Sequence, residues 1–188
     1  MTKKRLFSTR KIVLAALMAA LTVAGSALRI TLPVSILGTT AFHLGNIFCA
    51  LSGILLGPGL GGLAAGLGSA IYDMFNPLYI AEAWITFLMK GAYGLVAGLV
   101  AWKCSKEISY PRAILATFAG ALTYAVLYLT KSYCTGIWVK GLTAAAAALA
   151  LLEKVPATTF NAIIAIVCAP ILARAIQKAL IRNRISLD

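Results

Sequence analysis

The stretch GPGLGGLAAGLGSAIYDMFNPLYIAEAWITFLMKG, residues 57–91, contains the two kinds of sequence that decide the fold. Its first half consists almost entirely of glycine, alanine and leucine, with small residues at the four-residue spacing that lets transmembrane helices approach closely. Its second half places Asp73, Glu82 and Lys90 within apolar sequence. Because charged side chains are costly at membrane depth, they indicate a functional site. The stretch therefore predicts tight helix packing beside a polar pocket inside a membrane.

The composition of the whole chain sets the protein class. Of its 188 residues, 61% are hydrophobic and only 12% are charged, and the mean hydropathy is +0.93. These values lie outside soluble usage and predict an integral membrane protein, with residues 1–188 forming one membrane domain in the lipid bilayer. The formal charge of +12 comes from basic residues at the chain ends and in one short loop. We therefore interpret it as a topology signal and expect no nucleic-acid partner.

Six apolar runs predict an all-α membrane protein with six transmembrane helices, at residues 12–28, 42–56, 60–75, 83–102, 113–130 and 156–175. Residues 29–41 are predicted to be a loop, because Pro33 and Gly38 interrupt them. Residues 141–152 are apolar but short, and a seventh span would place the basic C-terminal tail outside, against the positive-inside rule. They are therefore expected to form a short external helix, interfacial or re-entrant, between spans five and six, and both termini are expected to be cytoplasmic.

Alanines at four-residue spacing form a smooth strip on the first predicted span. The pairs are Ala15 with Ala19 and Ala16 with Ala20, and such a strip allows another helix to approach closely. Because alanine is abundant in this chain, the same spacing also arises by chance. The strip alone is as compatible with chance as with a partner interface.

No enzyme motif is present in the sequence. His43 is the single histidine and has no companion acid or nucleophile in a catalytic pattern, and the glycines do not form a phosphate-binding loop. The cysteines are widely spaced and without metal-ligand pattern, which favours buried thiols over disulfides: Cys49, Cys104, Cys134 and Cys168. We expect no catalytic residues, no metal site and no cofactor.

The candidate binding residues surround the intramembrane charges. Asp73 and Lys90 lie on either side of the Asn76-Pro77 turn, so an antiparallel helix pair brings them near each other or near a shared ligand. A structural ion pair, or a lysine that extends to the surface, is the alternative. With the aromatic and amide groups predicted at the same level, these side chains suit a flat, polar, stackable molecule. The predicted substrate-binding set is Asn46, Tyr72, Asp73, Tyr79, Glu82, Trp84, Lys90, Tyr93, Tyr128, Lys131 and Asn161, although Trp84 also fits a membrane-interface anchor.

The segments AALMAAL, residues 15–21, and FHLGNIFCALSGILLGPGLGGLAAGLGSAIYDMFNP, residues 42–77, resemble the substrate-binding S component of energy-coupling factor (ECF) vitamin transporters. The resemblance covers nearly the whole chain. It implies a protein of the prokaryotic plasma membrane that binds a vitamin or precursor outside with high affinity. It further implies docking onto a transmembrane coupling subunit with two ATPase subunits, followed by toppling in the membrane to release the vitamin inside.

The resemblance also implies roles for particular residues. The alanine strip, in the frame Ala15 and Ala19 or the frame Ala16 and Ala20, would meet the coupling subunit. The pocket would lie between the outer ends of helices four to six and the loops that cap them. A stand-alone secondary transporter or channel, with Asp73 and Lys90 coupling an ion, is the alternative within transport. A membrane enzyme or assembly factor without transport is the alternative outside it.

Overall fold

Helices dominate the part of the chain that the structure, a computed structural model, describes, which is residues 9–34, 38–102 and 108–183. A two-stranded hairpin and a single 3₁₀ turn complete it. In chain order the elements are α1 (Thr9–Ala27), β1 (Arg29–Val34), β2 (Gly38–His43), α2 (Gly45–Leu56), α3 (Pro58–Met74), the 3₁₀ turn (Ile80–Glu82), α4 (Ala83–Ala101), α5 (Tyr110–Trp138), α6 (Ala144–Leu152) and α7 (Val155–Arg182).

Each of the six predicted apolar runs corresponds to one helix. Within the described residues, four segments are long and apolar enough to cross a membrane: Thr9–Ala27, Ile80–Ala101, Tyr110–Trp138 and Val155–Arg182. α2 is apolar but has 12 residues, which span about 18 Å, less than the roughly 30 Å of a bilayer core. α5 has 29 residues and is about 44 Å long, so it exceeds that thickness.

A β-hairpin occupies the segment that was predicted to be a loop. β1 pairs with β2 in antiparallel register, from Arg29 opposite His43 to Val34 opposite Gly38. The loop prediction was wrong because β-branched and aromatic residues in both arms favour a strand, and a two-stranded ribbon tolerates the proline of β1. The hairpin joins α1 to α2, and the second helix begins at Gly45 rather than at residue 42.

The glycine-rich half of the stretch 57–91 packs within the chain. At Gly66 of α3, an added Cβ would lie 2.7 Å from the backbone oxygen of Phe87 in α4. A side chain larger than hydrogen therefore cannot be placed there without moving α4. The predicted close approach of helices is thus realised between α3 and α4 themselves.

The short predicted helix between the last two long helices is present as α6. Its N-cap is Thr143, whose hydroxyl oxygen accepts a hydrogen bond from the backbone N–H of Ala146 at 3.3 Å. Cys49, Cys134 and Cys168 are free thiols. Cys104 lies outside the described residues, as do six of the basic residues at the chain ends and in the short loop: Lys3, Lys4, Arg5, Lys103, Lys106 and Arg184.

The helix ends determine where polar side chains gather. α1, α3 and α5 finish at the end of the bundle where α2, α4 and α7 begin, and the hairpin lies at that same end. The first described residue of α1 and the last turn of α7 lie at the opposite end. The hairpin end of the bundle therefore holds the acidic residues Asp73 and Glu82 together with several basic ones.

Candidate ligand-binding site

A cavity of about 380 Å³ lies at the hairpin end of the bundle. Its walls come from the last turns of α1, α3 and α5, the first turns of α4 and α7, and the hairpin. The lining is mostly polar and aromatic. It comprises Ser26, Arg29, Thr40, Ala41, His43, Ser69, Tyr72, Asp73, Leu78, Tyr79, Glu82, Thr86, Met89, Lys90, Tyr124, Tyr128, Lys131, Ser132, Thr135, Lys140, Lys154, Thr158 and Asn161.

Stacked tyrosines form one wall. The ring centroids of Tyr124 and Tyr128, one turn apart on α5, are 5.7 Å apart with an interplanar angle of 17°. The ring of Tyr93 on α4 lies 6.2 Å beyond Tyr124 at 26°. Lys90 places its ammonium 3.8 Å from the centroid of the Tyr124 ring. This arrangement is a cation–π contact at the edge of an aromatic surface, which suits a flat ligand.

Lys90 is 4% exposed and donates a hydrogen bond to Asn46 Oδ1 on α2. It has no carboxylate partner among the described residues, so the structural Asp73–Lys90 ion pair weighed above is not formed. Asp73 instead lies within hydrogen-bonding reach of Thr86 on α4. Both charges nevertheless line the same cavity, as their antiparallel placement predicted.

Arg29, the first residue of the hairpin, contacts the end of α3 and the turn that follows it. Its guanidinium lies 5.0 Å from the ring centroid of Tyr72 and 4.5 Å from that of Tyr79, and it donates to the Tyr72 hydroxyl at 3.3 Å. The Tyr72 hydroxyl also accepts from Asn76 Nδ2 at 3.0 Å. The hairpin, the end of α3 and the turn after it are therefore held together around one cation.

Asn161 on α7 fixes the other strand of the hairpin. Its side-chain oxygen accepts from the backbone N–H of His43 at 2.9 Å, and its Nδ2 donates to the backbone oxygen of Ala41 at 2.8 Å. His43 Nδ1 accepts from the Gly45 N–H at 3.2 Å. Burial, followed by the nearby charges of Lys90 and Arg29, holds the pKa of His43 well below its usual range, so the imidazole is neutral at pH 7.

Three further lysines surround the end of α5. Lys131 forms an ion pair with Glu82, which is 44% exposed. Lys154, the residue before α7, is 5% exposed, donates to the Ser132 hydroxyl at 3.4 Å and lies 5.2 Å from the Tyr128 ring centroid. Lys140 completes the group on the cavity wall.

The structure brings eight of the eleven predicted binding residues to the cavity wall. They are Tyr72, Asp73, Tyr79, Glu82, Lys90, Tyr128, Lys131 and Asn161. Asn46 is buried behind Lys90, and Tyr93 is buried behind Tyr124. Trp84 is 67% exposed and does not line the cavity, a position that fits the interface anchor rather than the ligand contact.

Several lining residues were missed by the sequence reasoning, above all Arg29, Tyr124 and Lys154. Arg29 belongs to the segment that was predicted to be a loop, and Lys154 lies between two apolar segments with Glu153 as its only charged neighbour in sequence. Tyr124 is the exception, because its four-residue spacing to Tyr128 predicts a shared helix face. Tyr124 could have been predicted to line the cavity if this face of the helix had been assumed to point inward.

The alanine strip is divided between two environments. Ala15 and Ala19 pack against the core, and an added Cβ at Gly68 of α3 would lie 2.4 Å from the Ala19 backbone oxygen. Ala16 and Ala20 are exposed on the outer face of α1. The two frames that the sequence left open therefore differ in whether another molecule can reach them.

Apolar helices around a polar, aromatic-lined cavity are typical of a helical membrane protein, and the cavity is a candidate site for a small solute. Residues 6–178 match the model of the family described as "ECF-type riboflavin transporter, S component", so the chain belongs to this family of vitamin-uptake membrane proteins. A Pyrococcus woesei protein described as "Uncharacterized protein in gap 3'region" is 32% identical over 114 residues, which cover 61% of this chain and 72% of that protein. No solved structure matches the chain.

No group of three or more His, Cys, Asp or Glu residues within the described part of the chain is arranged to hold a metal ion. The lining includes ammonium, guanidinium, carboxylate, imidazole, hydroxyl, amide and aromatic groups. Such groups bind an organic solute by stacking and hydrogen bonding.

Proposed function

We propose that this chain binds riboflavin, or a similarly flat vitamin or precursor, with high affinity in the cavity and delivers it to an ECF coupling subunit with two ATPase subunits. The observation that carries the proposal is the 380 Å³ cavity with its wall of stacked tyrosines, in a chain that belongs to the riboflavin S-component family. The volume lies within the range of about 300–1,000 Å³ that is usual for small-molecule sites.

The cavity chemistry supports a ligand of this kind. Riboflavin combines a planar ring system, which carries amide-like hydrogen-bonding edges, with a hydroxylated side chain. Tyr124 and Tyr128 provide aromatic surface, while hydroxyl groups such as Ser132 and Thr158 and the amide of Asn161 provide hydrogen-bonding partners. The proposed riboflavin-binding residues are the eight predicted ones on the cavity wall, with Glu82 acting through its ion pair with Lys131, together with Arg29 and Tyr124.

The proposed orientation places the cavity on the outer side of a prokaryotic plasma membrane. Six helices, α1 to α5 and α7, would form the bundle within the bilayer, with the 12-residue α2 covering only part of its thickness, and α6 would lie outside. Arg174, Lys178 and Arg182 on the last turns of α7 lie at the end of the bundle opposite the cavity, and the positive-inside rule assigns that end to the cytoplasm. Both termini would then be cytoplasmic.

For the coupling subunit, we propose the exposed frame of the alanine strip. Ala16 and Ala20 are exposed and followed by exposed Ala24 at the same spacing, whereas Ala15 and Ala19 are packed inside. A helix of the partner can approach the small residues closely. The exposed Val13 and Leu17 beside them would add apolar contact.

Ligand binding is tested by titrating riboflavin into the purified chain in lipid nanodiscs, without ATP and without other subunits. Tyr124→Leu should weaken binding by about tenfold or more, because it removes a stacking surface, whereas Tyr124→Phe should keep most of the affinity. Tyr110→Leu, at the opposite end of α5, is the matched control and should bind as the wild type does. Equal affinity in all four proteins would remove the tyrosine wall from the site.

Transport tests separate the proposal from the stand-alone carrier. Liposomes that contain this chain alone should not take up riboflavin under an ion gradient, whereas liposomes that also contain the coupling subunit and ATPases should do so with ATP. Gradient-driven uptake by the chain alone would contradict the proposal and favour a secondary transporter.

A further inference from the structure

Positive charge exceeds negative charge on the cavity wall. Among the described lining residues, five are basic and two are acidic: Arg29, Lys90, Lys131, Lys140 and Lys154 against Asp73 and Glu82. His43 adds no charge, because its imidazole is neutral. The cavity therefore has a formal charge of +3, although riboflavin, the solute in the family description, is uncharged at neutral pH.

The excess charge is concentrated where α5 ends and α7 begins. Lys154 is buried, and its polar neighbours are the Ser132 hydroxyl, the face of Tyr128 and the like charges of Lys131 and Lys140. Glu82 is the acidic group of the cavity wall that faces this cluster, but it is half-exposed and already paired with Lys131. Lys154 has no carboxylate partner among the described residues.

A buried ammonium without a counter-ion is unfavourable unless another group compensates its charge. Hydrogen bonding to a hydroxyl and contact with an aromatic face compensate part of this cost. A ligand oxyanion would compensate much more, because a charge-assisted hydrogen bond is about twice as strong as a neutral one. Ser132 can take part as well, since an oxygen that accepts from Lys154 still has its own hydroxyl hydrogen to donate.

We propose that the ligand of this cavity carries an oxyanion, a carboxylate or a phosphate ester, which binds to Lys154 and Ser132 beside the Lys131–Glu82 pair. The inference rests on the proposed function, since it assigns a chemical class to the solute that the same cavity binds. The stacked tyrosines hold the flat part of the ligand, and the lysine cluster selects for the anionic part. The neutral vitamin alone would leave Lys154 without a counter-ion.

The first test compares three flavins that differ in charge: riboflavin, riboflavin 5′-phosphate and carboxymethylflavin. In the wild-type protein, at least one of the two anionic flavins should bind about tenfold or more tightly than riboflavin, as one added charged hydrogen bond requires. Lys154→Gln should abolish that preference while changing riboflavin binding little, and Lys154→Arg should retain it. Lys178→Gln, a lysine outside the cavity, is the matched control and should behave as the wild type does.

The preferred anionic flavin identifies the source of the oxyanion, phosphate ester or carboxylate, and either preference supports the inference. If riboflavin binds as tightly as both anionic flavins and Lys154→Gln changes nothing, the oxyanion site is overturned, whereas the proposed function stands.

The second test does not depend on flavins and covers the case in which no flavin binds, a result that would itself overturn the proposed vitamin. Thermal unfolding of the purified protein is measured in inorganic phosphate and in benzoate, each against chloride at equal ionic strength. At least one of these oxyanions should raise the Tm of the wild type but not that of Lys154→Gln, because a ligand bound to the folded state stabilises it. Identical shifts in the two proteins, or none in either, would overturn the oxyanion site.

Discussion

Replacing Asn161 with alanine should release the hairpin from α7 and open the cavity. The wild-type side chain makes two hydrogen bonds to β2, at 2.9 Å to the His43 N–H and at 2.8 Å to the Ala41 oxygen. Each is worth about 1 kcal/mol net, so their loss favours the opened hairpin by about 2 kcal/mol, a factor of roughly 30. Hydrogen exchange of the β2 amides in the ligand-free protein measures this opening directly, and we expect it to accelerate by about that factor.

Ligand binding should weaken in the same variant, because a cavity with a detached hairpin must be closed again before it encloses a solute. Asn183→Ala is the matched control: Asn183 donates one exposed hydrogen bond to Ala179 within its own helix and lies far from the cavity. If the β2 amides exchange hydrogen equally slowly in the wild type, Asn161→Ala and Asn183→Ala, Asn161 does not hold the hairpin against α7.

Three further predictions concern the partner, pH and the surface ion pair. Ala16→Trp should bind ligand normally but should not co-purify with the coupling subunit. Ala175→Trp, at an exposed alanine of α7, is the control and should co-purify. If both variants co-purify with the coupling subunit, the proposed interface is contradicted. Burial, and then the charge of Lys131, lowers the pKa of Lys154 to about 8, so the preference of the wild type for carboxymethylflavin over the same ligand's affinity in Lys154→Gln should shrink between about pH 7 and pH 9 as the ammonium loses its proton. A ratio of wild-type to Lys154→Gln affinity that does not change with pH would argue against Lys154 as the anion contact. Glu82→Gln removes a half-exposed ion pair worth up to about 1 kcal/mol, so riboflavin titration should show less than a roughly fivefold change, and a loss of about a hundredfold would show that Glu82 contacts the ligand.

The helices were predictable from the sequence because each depends on an apolar run that is continuous along the chain. The end of α3 at Met74 and the start of α4 at Ala83 follow from Asn76-Pro77, which stops a helix. The hairpin was not predicted, because Pro33 and Gly38 are loop signals on their own. Pro33 and Gly38 become part of strands only because each pairs with a residue of the other strand.

Part of the cavity wall was predictable where charge and apolar sequence coincide, as at Asp73 and Lys90. The contacts between polar side chains around the cavity were not predictable, because they join distant parts of the chain. Lys131 meets Glu82 across 49 residues, and Asn161 meets Ala41 across 120. Such pairs depend on how the helices are arranged in the bundle, which hydrophobic periodicity does not specify.

The central claim is that the cavity holds a flat vitamin-like solute without the help of other subunits. Mass spectrometry of small molecules retained by the purified chain tests it most directly, with Tyr124→Leu processed in parallel. We expect the wild type to retain riboflavin or a related flat molecule, at up to one per chain and without ATP, and Tyr124→Leu to retain much less. A wild-type protein that retains no such molecule and binds none when flavins are added would contradict the claim.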